Sequence, residues 1–142
     1  MNVLSQMITD LRAHQVLSRE LLALAERESQ ALRQSQPDAV QEIYQAKKTL
    51  LPRLHESLGK VRQHRVHWQS LTPAQRAAQP EISFLVRQVQ DLIMRVILLD
   101  RENEQSLLRR GLIPPREIPC ANQHRPHFVA NLYRRQQGAG DQ

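Results

Sequence analysis

The sequence predicts an all-α protein: an elongated antiparallel three-helix bundle with coiled-coil-like apolar stripes, followed by a proline-rich flexible C-terminal tail. Three observations carry this. Apolar residues recur at three- and four-residue steps over three long stretches, which is the helical period. Only one of the four glycines, Gly59, precedes position 111, so there is little to build the tight turns of hairpins. No alternating apolar and polar run is long enough to argue for a strand.

The first stripe is Leu4, Met7, Ile8, Leu11, Leu17, Leu21, Leu22, Ala25 and Leu32, which predicts a helix over about 3–34. It weakens at His14 and Ser18. Gln36-Pro37-Asp38 then ends one helix and starts the next, with proline at a first helical position and an acid in the first turn. Val40, Ile43, Tyr44, Leu50, Leu51, Leu54, Leu58, Val61 and Trp68 make the second stripe. Pro52 lies inside it, where the lost hydrogen bond and the crowded Lys48 carbonyl cost about 3 kcal/mol relative to alanine. The stripe stays in phase across Pro52, so one kinked helix over about 38–67 is expected, with a break at Leu51 as the competing reading. Thr72-Pro73-Ala74-Gln75 has the composition of a capping box and starts a short turn. Pro80 opens the third helix, over about 80–110. Its stripe is Ile82, Leu85, Val86, Val89, Leu92, Ile93, Val96, Leu99 and Leu107, with polar Asn103 in phase. Arg109 and Arg110 suit its negative end, and Gly111 its cap.

Residues 1–110 thus form the bundle domain. Short connections between helices of about 30 residues imply antiparallel neighbours, and three such helices leave a groove or an apolar edge that a partner helix or a second copy would cover. Residues 111–142 contain Pro114, Pro115, Pro119 and Pro126 and end in a polar, glycine-containing stretch, which predicts a mostly mobile tail. Within it Phe128–Arg135 is an apolar island, and a short helical segment near 127–135 is expected. Either it recognises a partner or it folds back on the bundle. Asn103 likewise reads two ways, as a residue fixing the register of the helices or as a hydrogen-bonding group facing a partner.

Composition narrows the chemistry. The chain carries +6 overall, and residues 47–67 set Lys47, Lys48, Arg53, Lys60, Arg62 and Arg65 against Glu56 alone. Lys47, Lys48, Arg62 and Arg65 have the charge to meet phosphates, with His64 or Trp68 to stack on a base, but no helix-turn-helix or zinc-finger spacing accompanies them. Nucleic-acid binding is therefore the weaker reading. Cys120, His124 and His127 are metal-ligating residue types at a spacing that matches no established zinc pattern. Asp100 and Glu104 lie one turn apart, as carboxylates on a solvated helix face also do. With no poised nucleophile and no phosphate-cradling glycine loop, neither an enzyme nor a cofactor is expected. A single cysteine, no basic-then-apolar leader and no apolar stretch long enough to cross a bilayer predict a cytoplasmic protein without a membrane span.

Three strings then resemble one family. The first helix closes Leu21-Leu22-Ala23-Leu24-Ala25-Glu26-Arg27-Glu28-Ser29-Gln30-Ala31-Leu32, the second holds Lys47-Lys48-Thr49-Leu50-Leu51, and the third ends Leu99-Asp100-Arg101-Glu102-Asn103-Glu104-Gln105-Ser106-Leu107-Leu108. Over about residues 1–110 the pattern is similar to flagellar export chaperones of the FlgN type. The resemblance implies a non-enzymatic cytoplasmic chaperone that binds the terminal helices of flagellar hook-associated (hook-filament junction) proteins and delivers them to the type III export gate and ATPase complex. It implies substrate contact through Val96, Leu99, Asn103, Leu107 and Leu108, and docking on the gate through Leu132 and Tyr133. Pro52 and the single asparagine at the end of the third helix depart from the family pattern. A non-enzymatic coiled-coil adaptor that homodimerises through the same groove is the alternative.

Overall fold

The computed structural model describes residues 2–109, and all regular structure among them is helical. α1 spans Val3–Arg33, α2 Pro37–Gln63, α3 Arg65–Ser70, α4 Pro73–Ala77 and α5 Pro80–Arg109. Asn2 starts α1 by accepting the Ser5 N–H at 2.7 Å. At its other end Gln36 N–H donates to Ala31 O at 3.0 Å and Ser35 N–H to Leu32 O at 3.2 Å, the paired bonds of a Schellman motif. Ser35, at φ 51°, takes the left-handed position that glycine usually fills there. Pro37 then opens α2. Thr72 and Gln75 form both bonds of the capping box the sequence predicts, and this box starts α4.

α2 runs through Pro52 without a break, so the helix absorbs the lost hydrogen bond on a solvent-exposed turn. It does not continue to residue 67, however. The helix ends at Gln63, and the chain turns at His64 before α3 begins. The turn coincides with an imidazole drawn to α1, since His64 Nε2 lies 2.6 Å from Asp10 Oδ2.

α1 is the shared element, packing along both α2 and α5. Asp10 meets His64, His14 meets Ser57 and Glu28 meets Lys47, so α2 descends antiparallel to α1. Arg12 pairs with Glu81, Gln15 with Gln88 and Asn103 with the Ala25 carbonyl, so α5 rises parallel to α1. α3 and α4 make the crossing at the low end.

The core is segmented along this axis. Met7, Leu11, Ile82 and Leu85 fill the low end. Leu21, Leu22, Leu50, Leu54, Val89, Ile93 and Val96 fill the middle. Ala31, Leu32, Val40, Ile43 and Leu107 close the high end. A polar layer lies at each boundary. Below the middle segment are His14, Gln15, Ser18 and Ser57, all buried. Above it are Glu28, Lys47, Asp100 and Asn103, contributed by all three long helices.

In the upper layer Lys47 Nζ lies 3.2 Å from Glu28 Oε1 and 2.5 Å from Asp100 Oδ1. The Asn103 amide donates to Ala25 O at 2.9 Å and to Glu28 Oε1 at 3.1 Å. Burial alone would lower the lysine pKa, but the charges of Asp100 and Glu28 and their hydrogen bonds outweigh it and raise it above its ordinary value. That stabilisation is present below the ordinary lysine value and is lost as pH rises through the folded one.

Two stability outcomes follow from this architecture. Pro52→Ala restores an amide donor within α2, and after the entropy that proline removes from the unfolded chain it raises stability by about 2 kcal/mol, read as a higher melting temperature. Lys47→Met strands two buried carboxylates and lowers stability by about 3–5 kcal/mol in urea unfolding, whereas replacing Glu28, Lys47 and Asp100 together by Gln, Met and Leu recovers most of that loss.

Candidate functional site

α5 carries apolar side chains on two opposite faces. The face toward α1 and α2 holds Ile82, Leu85, Val89, Ile93, Val96 and Leu107, all buried. On the other side Phe84, Met94, Leu98 and Leu108 are 58%, 56%, 53% and 41% exposed. At 100° per residue these four fall within one arc of about 120°, with Met94 and Leu98 adjacent at one turn. Ile97 and Leu99, partly buried, border the arc on either side. Arg87, Asp91, Arg101 and Gln105 fall in the same arc, all exposed, so its continuous apolar part is Met94 with Leu98. Here one side of α5 meets solvent.

The residues expected to touch a partner divide accordingly. Val96 is fully buried in the middle core segment. Asn103 is buried, and its amide is engaged by Ala25 and Glu28. Leu107 packs in the upper core segment. These three are occupied within the bundle. Leu99 is partly buried, and Leu108 reaches the surface. Phe84, Met94 and Leu98 were not among the candidates, although a signal exists. From Leu92 to Leu99 only Arg95 is polar, so some of those side chains lie out of phase with the core stripe. Leu132, Tyr133 and the Phe128–Arg135 island lie outside the described residues, as do Cys120, His124 and His127.

A second feature lies at the low end. A cavity of about 320 Å³ opens between α1, α2, α3 and α5. Met7, Leu11, Leu58, Ile82 and Val89 give it an apolar floor, and Trp68 of α3 lines it as well. Arg62, His64 and Arg65 supply its polar wall. His14 also lines it, with Nδ1 3.0 Å from Ser57 Oγ, while Ser18 Oγ donates to the His14 carbonyl at 2.8 Å.

The basic residues of the α2 half are thus dispersed. Lys47 is sequestered by two carboxylates and Arg62 and Arg65 line the cavity, whereas Lys48 is exposed with its ammonium 5.4 Å from the centre of the Tyr44 ring. They do not form one solvent-facing phosphate track. Comparison of the chain with family models, with characterised proteins and with solved structures finds no match. No described helix is long and apolar enough to cross a membrane.

Burial pushes the His14 imidazole down from 6.5 to about 4. Between those values the unfolded chain holds a proton at residue 14 that the folded chain lacks. Stability is therefore full above the ordinary histidine value and falls as pH drops through this window, by at most about 3 kcal/mol. Urea unfolding followed from about pH 7.5 to about pH 4.5 reads that slope, and His14→Leu flattens it relative to the parent.

Proposed function

We propose that this chain is a non-enzymatic helix-binding chaperone, an elongated three-helix bundle whose α5 receives an amphipathic helix of a partner. The exposed apolar side chains Phe84, Met94, Leu98 and Leu108 on one side of α5 carry the reading, with Met94 and Leu98 at its centre. A partner helix laid along it buries apolar surface on both sides, and the energy comes from the water released. Met94 and Leu98 are about half exposed, so covering them contributes about 1–1.5 kcal/mol each.

The resemblance of the three sequence strings to FlgN-type chaperones supplies the class of partner. The proposed substrates are the terminal helices of flagellar hook-associated proteins, held in the cytoplasm and passed to the type III export gate and ATPase complex, with Leu132 and Tyr133 as the proposed gate contact. Leu99 and Leu108 remain in the proposed substrate surface. Phe84, Met94 and Leu98 join it in place of the interior Val96, Asn103 and Leu107.

The same arc supports a second reading, an adaptor that pairs two copies of itself along α5. Light-scattering size exclusion of the full chain, alone and with the junction proteins of its own organism, separates the two. A stable complex with a junction protein that the double variant Met94→Asp/Leu98→Asp loses by about 100-fold in affinity is the outcome expected. Both positions are exposed, so the variant keeps the parent's melting temperature to within a few degrees. A parent that ignores those partners and runs as a dimer, with the variant a monomer, moves the assignment to the adaptor. A complex that the double variant forms as tightly as the parent overturns the α5 surface.

A further inference from the structure

The outer side of α5 has an order that matches its own reverse. From Phe84 to Leu108, eight exposed side chains follow one another at alternating steps of three and four, the spacing of a coiled-coil seam. Their chemistry is arranged symmetrically about the level of Val96. Met94 and Leu98 flank that level, and Asp91 and Arg101 come next. Arg87 and Gln105 follow, and Phe84 and Leu108 close the ends. Within each pair the two residues lie equally far from position 96.

We propose that α5 pairs with α5 of a second copy in an antiparallel two-fold dimer centred at Val96, which rests on the reading of this side of α5 as the docking surface. In a two-fold contact, what one residue makes with another is made again in reverse. Met94 packs on Leu98 of the second copy, and Leu98 on its Met94. Asp91 meets Arg101 of the second copy and the reverse, so two ion pairs bracket the apolar centre. The five N–H groups of Arg101 let it hold Asp91 while keeping contacts within its own chain. Along one edge of the seam the partly buried Ile97 faces its own copy. Along the other Arg95 does, its charge offset by Glu26 of α1 at 3.7 Å. Other arrangements fit worse. A parallel pair sets Asp91 on Asp91 and Arg101 on Arg101, and an antiparallel slip of one heptad sets Leu98 on Arg101 or Met94 on Asp91. The opposite side of α5 stays on α1 and α2, so the dimer needs no rearrangement of the bundle. The free chain thereby covers its own Met94 and Leu98, and a partner helix competes with the second copy for them.

Sedimentation equilibrium of the full chain at low salt, over about 1–300 μM, reads the dimer constant of the parent and of three variants. The parent dimerises. Asp91→Arg and Arg101→Asp each turn two attractive pairs into two repulsive ones and weaken the dimer at least about tenfold. Asp91→Arg/Arg101→Asp rebuilds both pairs with the charges exchanged and returns to within about threefold of the parent. Only the antiparallel register gives this recovery, because a parallel pair opposes like charges in the parent and in all three variants. All these positions are exposed, and thermal melting checks that each variant keeps the bundle. A parent that stays monomeric over the whole range, single variants that pair as tightly as the parent, or a folded double variant no tighter than the single ones each overturns the proposal. The chaperone reading is judged apart from it. A parent that is monomeric alone yet binds a junction protein removes the dimer and keeps the chaperone. A dimer with this charge pattern that binds no junction protein keeps the dimer and removes the chaperone.

Discussion

Lys47 is the residue on which the register of the three long helices depends. Its ammonium reaches Glu28 of α1 and Asp100 of α5 while its own stem belongs to α2, so a single side chain sets the height of all three. Apolar stripes alone do not do this. Leucines slide past leucines at small cost, since a shift by one turn presents another leucine. A charge in a nearly dry layer has only one position where its partners meet it, and every other register leaves it exposed to the full desolvation penalty. Asn103 adds direction, because its amide also finds the Ala25 carbonyl of α1.

The lower layer is of another kind. His14 pairs with Ser57 across α1 and α2, Ser18 donates to the His14 carbonyl of its own helix, and the three separate the middle core from the low end without a buried ion pair. Gln15 extends the layer to Gln88 of α5. Beneath it, the chain reaches α5 only through α3 and α4, and the cavity opens at that crossing. The polar layer and the cavity thus share His14, which faces Ser57 and lines the opening.

The helices were largely legible in the sequence, because each signal is local. Pro37, the Thr72 to Gln75 box and Pro80 mark starts that depend on neighbours a few residues away. The weakening of the first stripe at His14 and Ser18 was also visible, and it marks the polar layer. What could not be read was which helix each polar residue meets. Lys47 belongs to a run of basic residues, and nothing near it in sequence announces Asp100, 53 residues on. The contact at the end of α2, His64 with Asp10, likewise reaches another helix. The surface residues of α5 were missed for a related reason. A side chain in phase with a strong stripe belongs to the core the stripe builds, so Val96 and Leu107 turn inward. The apolar residues of α5 left at the surface are those that break the phase, such as Phe84, Met94 and Leu98.

Parallel travel of α1 and α5 gives the molecule two unlike poles. α5 starts beside the cavity, at Ile82, and finishes against Leu32 and Val40 beside the turn between α1 and α2. α5 as a whole is 30 residues long, a span of about 45 Å. α5 therefore ends, at Arg109, at the pole opposite Trp68. The outer arc of α5, lying between the poles, would be the stretch of surface that both ends share.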